Sequence, residues 1–150
     1  RSVNKSHVDS NEKLLNDNLF VNKASNASFI SLKSDPSEVH KIKQPFDLML
    51  LGMGEDAHFA SLFPSMINTN IEYFNSDSKP EIIYTEPLGS PQHVRISMNL
   101  AMILNSKNII LLVSNSKKLD VLTKAKTNKN LPLYYLFNQK LVDIEILKTY

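Results

Sequence analysis

The sequence predicts an α/β fold built on a mostly parallel sheet. Two apolar runs, residues 48–51 (LMLL) and 109–113 (IILLV), have the unbroken character of strands buried on both faces. Each run ends in turn residues, and strands alternate with stretches of helical spacing along the chain, the pattern of a parallel sheet with crossover helices. At 150 residues the natural count is one domain, large enough to bury about two-thirds of its unfolded surface.

In chain order, Asp9 or Ser10 can cap a helix running to about Lys23, with Leu14, Leu15 and Leu19 on its inward face. Residues 29–32 read as a short strand. Asp35-Pro36-Ser37 starts a helical turn, with proline near the first helical position. Residues 46–51 read as the buried central strand. A polar, irregular stretch over 68–80 precedes a short strand at 82–85. The loop 86–92, with Pro87, Gly89 and Pro91, delivers Val94-Arg95-Ile96 to a strand edge. Residues 99–106 look helical, and 109–113 form another strand. The turn Ser114-Asn115-Ser116 then leads to a helix over 117–126.

Composition narrows the function classes. An apolar fraction of 42% and a charged fraction of 21% belong to an ordinary globular chain. A net charge of +2 is too small to argue for a nucleic-acid or membrane partner. The lysines between Lys117 and Lys129 read as a solvated helix face. With no cysteine the chain has no disulfide, thiolate metal site or cysteine nucleophile, which fits a reducing cytoplasm. No run approaches the ~18 apolar residues of a membrane span.

The chemistry concentrates in residues 46–64, FDLMLLGMGEDAHFASLFP. The apolar run breaks at Gly52-Met53-Gly54, where missing Cβ atoms let the backbone turn sharply and a ligand come close. Glu55, Asp56 and His58 follow at the carboxyl end of a strand, the edge where open α/β sheets place their ligands. Neutral imidazole, with an ordinary pKa of ~6.5, can accept a proton near pH 7, so His58 is the candidate base. Two roles are open to Asp56: orienting the imidazole or binding a sugar hydroxyl, against the plain reading of a carboxylate that caps the turn. Glu55 reads as solvated. His7, His40 and His93 share no metal-ligand spacing, and one D-x-H falls short of a zinc site.

This segment resembles the signature of the 6-phosphogluconolactonases, roughly LLGMG-x-DGH-x-ASLFP. Arg1 with Ser2-Val3 and residues 7–11 (HVDSN) looks like the family's DER…SN segment without its first two acidic residues. Residues 91–97 (PQHVRIS) are similar to its P-x-x-RIT stretch, and 109–122 to a later strand–turn–helix ending in a lysine. Residues 131–137 and 142–147 look like the final strands. The chain departs from the pattern at Ala57 (usually Gly), Phe59 (commonly Thr) and Asn115 (Gly preferred). If position 57 needs a positive φ, alanine carries roughly 1–2 kcal/mol of strain there. The connection from residue 29 to residue 46 is shorter than usual. The family's earlier strands and Gly-rich phosphate loop have no counterpart, so the expectation is a single domain over 1–150, incomplete at its N-terminal side.

The resemblance implies a modified doubly wound sheet shared with glucosamine-6-phosphate isomerases, ribose-5-phosphate isomerases and CoA transferases. It implies hydrolysis of 6-phospho-D-glucono-1,5-lactone to 6-phosphogluconate, in the oxidative pentose phosphate pathway, without metal or other cofactor. His58 and Asp56 would be catalytic. Arg95, one of two arginines in a Lys-rich chain, would grip phosphate through its rigid fork. Lys118, or Lys117 if the register slips by one, would add a cation near a helix N-terminus, a placement that favours an intervening anion. Arg1 matches an active-site arginine, and Gly52 and Gly54 line the approach. Ser10 and Asn11 read chiefly as a helix start. A glucosamine-6-phosphate deaminase has a similar Gly-x-Gly…His turn, but Ser61-Leu62-Phe63-Pro64 favours the lactonase. A non-catalytic sugar-phosphate-binding module is the other alternative.

Overall fold

A computed structural model describes residues 1–33 and 35–150. They form two compact units, one of Arg1–Ile42 with Tyr84–Ile96 and one of Lys43–Ile83 with Ser97–Tyr150.

The first unit opens with α1 (Asn11–Asn18), capped by Ser10, whose hydroxyl accepts the Lys13 N–H at 3.1 Å. The helix ends five residues before Lys23, in the weak helix formers Asn16, Asp17 and Asn18. No residue of α1 is buried, and Leu14 and Leu19 are exposed rather than inward. A 3-10 turn covers Asn22–Ala24, and a second covers Pro36–Lys41, where Asp35 accepts the Ser37 N–H and Pro36 stands first. The strand expected over 29–32 does not form, because none of these residues finds a ladder partner; the Phe29 ring instead lies 5.3 Å from that of Phe20.

The second unit holds a parallel sheet of β1 (Met49–Gly52), β4 (Ile109–Val113) and β5 (Ile144–Lys148), in the order β1-β4-β5. Leu51 pairs with Leu111, and Leu111 with Ile146. Among the described strands β4 is the middle one, and β1 begins at Met49 rather than at residue 46. β1 lies at the edge of this sheet, and Phe46 only bridges to Ser106. Burial is one-sided along β1, with Leu51 4% and Leu50 57% exposed. In β4 the alternate residues Ile109, Leu111 and Val113 are fully buried.

Two short strands, β2 (Ile82–Tyr84) and β3 (Ile96–Met98), pair with each other, and the division between the units runs through the pair. The helix expected over 99–106 is α2 (Leu100–Leu104), buried at every position. Asn99 starts it from a fully buried site, with Oδ1 accepting from Met102 N and Glu81 N while Nδ2 donates to Lys79 O. α3 spans Lys118–Ala125. Residues 131–137, expected as a strand, form the helix α4 (Pro132–Phe137). Proline is preorganised for a first helical turn, and an apolar run this short has no period to separate strand from helix. Nearly all buried apolar residues, Val39 excepted, belong to the second unit.

Candidate active site

β1 and β4 run parallel as neighbours, so their carboxyl ends open on one edge, with Gly52 paired to Leu112. Two loops leave that edge. The β4 exit carries Ser114 and then Lys118, whose Nζ donates to Met53 O at 2.8 Å and to Ser114 Oγ at 3.1 Å. Lys118 thus fastens the Gly52-Met53-Gly54 turn to the start of α3.

The β1 exit is a closed loop. Ala57 N–H donates to Gly54 O at 3.2 Å, Gly54 N–H donates to His58 O at 2.8 Å, and Met53 bridges to Phe59. Closing so tight a ring requires a left-handed residue, and Ala57 supplies it with φ 65°. A second left-handed alanine, Ala60 (φ 49°), reverses the chain so that Leu62 N–H meets Phe59 O. The two alanines make a stability test. Ala60 is exposed, so Ala60→Gly is expected to relieve about 1–2 kcal/mol of strain against about 0.5–1 kcal/mol of added chain entropy, a net gain of up to about 1.5 kcal/mol. Ala57 is fully buried, so Ala57→Gly also loses a packed methyl group worth about 0.8 kcal/mol and is expected to be near neutral. Urea unfolding of both variants checks the difference; destabilisation by Ala60→Gly would mean that its left-handed backbone carries no strain.

The loop presents Asp56 and His58 to each other. The Asp56 carboxylate accepts the His58 backbone N–H at 3.2 Å, and its Oδ1 lies 2.6 Å from the imidazole Nδ1. An ionised carboxylate only accepts hydrogen bonds, so this contact places the proton on Nδ1 and leaves Nε2 as the acceptor. Partial burial alone would raise the Asp56 carboxyl, but hydrogen bonds from the His58 ring and backbone outweigh it and hold the group below the usual carboxylate range. His58 is about one-third exposed, open enough for water to reach. Gly54 is needed for this pairing, because a Cβ there would lie 2.2 Å from His58 Nδ1 and 2.5 Å from Asp56 Oδ1. Gly52 faces open space, with nothing within 4 Å of its missing Cβ.

Arg95 stands differently from expectation. It sits just before β3 rather than within a strand, and its guanidinium turns back to the preceding loop. Nε and Nη2 donate to Leu88 O, and Nη2 also donates to Pro91 O, so the side chain is buried under the loop 86–92. Its backbone N–H donates to Thr85 Oγ1. Burial, and next the nearby charge of Arg1, pull the guanidinium below its ordinary pKa. Arg1 donates to Asp9 O at 3.2 Å, while its buried Nε has no hydrogen-bond partner among the described residues.

The second unit therefore brings together Gly52, Gly54, Asp56, His58 and Lys118, and the first unit brings together Arg1 and Arg95. Sequence reasoning missed a cluster in the first unit, where His93 Nε2 lies 2.9 Å from Asp9 Oδ2 and the His7 ring packs against that of His93. The hydrogen bond with His93 is the main cause that holds the Asp9 carboxyl low. Its partners are 84 residues apart, and no local pattern signals them. Among the described residues no group of three or more His, Cys, Asp or Glu is placed to hold a metal ion, and no helix is long and apolar enough to cross a membrane.

The family description "Glucosamine-6-phosphate isomerases/6-phosphogluconolactonase" matches residues 1–143. The chain belongs to this family. Among family members, the 6-phosphogluconolactonase of Helicobacter pylori is 36% identical over 97% of this chain and 67% of its own length. That of Neisseria meningitidis is 30% identical, covering 93% of this chain and 66% of its own length. The crystal structure of a 6-phosphogluconolactonase from Shewanella baltica superposes with a TM-score of 0.81 at 26% identity, over 99% of this chain and 68% of that one. The chain thus spans about two-thirds of the length of these relatives. The family's mixed α/β architecture with a mostly parallel sheet is the one described above. The left-handed φ at position 57 gives a physical reason for the glycine usual there in the 6-phosphogluconolactonase pattern.

Proposed function

We propose that the protein hydrolyses 6-phospho-D-glucono-1,5-lactone to 6-phosphogluconate, a cytoplasmic step of the oxidative pentose phosphate pathway. The observation that carries this reading is the likeness, over nearly the whole chain, to relatives named 6-phosphogluconolactonase at 30% and 36% identity. The Asp56–His58 pair supplies suitable chemistry. Nε2 of His58 takes a proton from water as the oxygen attacks the lactone carbonyl. The oxyanion collapses, the bond from the carbonyl carbon to the ring oxygen breaks, and His58 returns the proton to that oxygen. Asp56 keeps Nδ1 protonated and steadies the imidazolium while it exists. Lys118 offers a cation at the same sheet edge for the substrate's phosphate, and Arg1 and Arg95 are the phosphate candidates of their own unit.

The test is the complete gene product assayed with the phosphorylated lactone, after subtraction of spontaneous opening, and in parallel with glucosamine 6-phosphate. Lactone opening well above background is expected, with no ammonia released. Ammonia release without lactone opening would assign a deaminase, and inactivity on both would assign a non-catalytic binding module.

Arg95→Ala separates grip from scaffold. Loss of a charge-assisted phosphate contact should weaken binding by about 1.5–3 kcal/mol, seen as a raised KM for the phosphorylated lactone and a much smaller change for unphosphorylated gluconolactone. Equal losses on both would reduce Arg95 to a support of the loop 86–92.

A further inference from the structure

Residues 61–64 (SLFP) have no task in the hydrolytic scheme, although they set this chain apart from the deaminases. The structure holds them rigidly. Ser61 N–H donates to Ser97 Oγ at 3.1 Å, and Leu62 is fully buried with its N–H on Phe59 O. A residue before proline is pushed to extended backbone, and Phe63 obeys with φ −97° and ψ 153°. Pro64 then opens a 3-10 turn, Pro64–Ile67, anchored by buried Met66 and Ile67, and Phe63 N–H reaches Met66 Sδ at 3.5 Å. Phe63 is thereby fixed from both sides, and its ring centroid lies 4.5 Å from that of His58 with the planes 34° apart.

That contact complements the one from Asp56. A single hydrogen bond at Nδ1 restrains the imidazole through one atom, and because such a bond tolerates bending, the ring keeps torsional freedom about Cα–Cβ and Cβ–Cγ. An aromatic face laid against the imidazole removes that freedom. We propose that Phe63 is a positioning residue for His58, holding the imidazole plane so that Nε2 keeps one direction through the proton transfer. The proposal rests on the reading of His58 as the base. Fixing a proton acceptor in line with its donor is worth rate rather than affinity, since misalignment is felt in the transition state.

The test uses the complete gene product and four variants. Phe63→Leu is expected to lower kcat about 10-fold at nearly unchanged KM, whereas Phe63→Tyr, which keeps the ring face, stays within about twofold of the parent. In a His58→Asn background, Phe63→Leu should have no further effect on turnover, because the residue acts through the imidazole. Ring-current displacement of the His58 imidazole protons in the NMR spectrum should persist in Phe63→Tyr and vanish in Phe63→Leu. If Phe63→Leu fails to fold, Phe63→Met, close in volume but without a ring, takes its place. Unchanged kcat in Phe63→Leu, an equal loss in the His58→Asn background, or no rescue by Phe63→Tyr would each overturn the proposal. Normal turnover in His58→Asn alone would instead remove His58 as the base, a separate failure read from the same set.

Discussion

Replacing His58 by asparagine is expected to lower turnover by roughly 10²–10⁴-fold, the usual range for loss of a general base, while substrate binding survives. The amide keeps a donor that can face the Asp56 carboxylate, so the loop of residues 54–58 retains its hydrogen bonds through Gly54, Ala57 and the His58 backbone. What disappears is the lone pair on Nε2 that, in the proposed scheme, takes the proton from water. The measurement is kcat and KM for the phosphorylated lactone, with the enzyme-free rate subtracted at each pH. The parent rate should fall in acid as one group protonates, and that limb should be missing from the variant. Near-normal turnover in a folded His58→Asn protein would leave Asp56 as the nearest alternative base, and Asp56, held low and ionised by its hydrogen bonds, is poorly suited to the part.

The second large effect is expected at Gly54. A methyl group there would sit 2.2 Å from His58 Nδ1, 2.3 Å from His58 Cε1 and 2.5 Å from Asp56 Oδ1, distances no packed carbon tolerates. The ring and the carboxylate are the parts able to move, so Gly54→Ala should separate them while the sheet stays intact. Turnover is expected to drop on the order of 10²-fold, as for an angstrom-scale misplacement of a reacting group, with little change in thermal midpoint. Gly52→Ala is the control, since its Cβ meets nothing within 4 Å. It should fold normally, and any effect should appear in KM, through the space left for substrate. Undiminished turnover in Gly54→Ala would mean that the 2.6 Å contact between Asp56 and His58 is dispensable.

The contrast between these two glycines marks what the sequence could convey. Both stand in one Gly-Met-Gly turn, and the apolar run before it announced a strand exit, so the place of the candidate site was legible. Which glycine guards the histidine was not, because that depends on the left-handed turn at Ala57 folding His58 back over Gly54. β4 was legible because five consecutive apolar residues suit the middle of a parallel sheet. Residues 131–137 were not, since LPLYYLF is as apolar as a strand and too short to show a helical period. Arg95 was conspicuous as an isolated arginine. Its capture of Leu88 O and Pro91 O depends on the fold of the loop between them, which turns through Gly89 with φ 84°.

The uneven distribution of the core bears on how such a protein can diversify. The Asp56–His58 pair sits in the unit that owns nearly all of the buried apolar residues, whereas Arg1 and Arg95 sit in the unit whose helix α1 buries none. Substitutions around the Asp56–His58 pair disturb dense packing, where most changes destabilise. Substitutions around the two arginines meet mostly loops and half-open surface, where most changes are tolerated. On the proposed roles, substitution is thereby better tolerated around the phosphate grip than around the proton transfer.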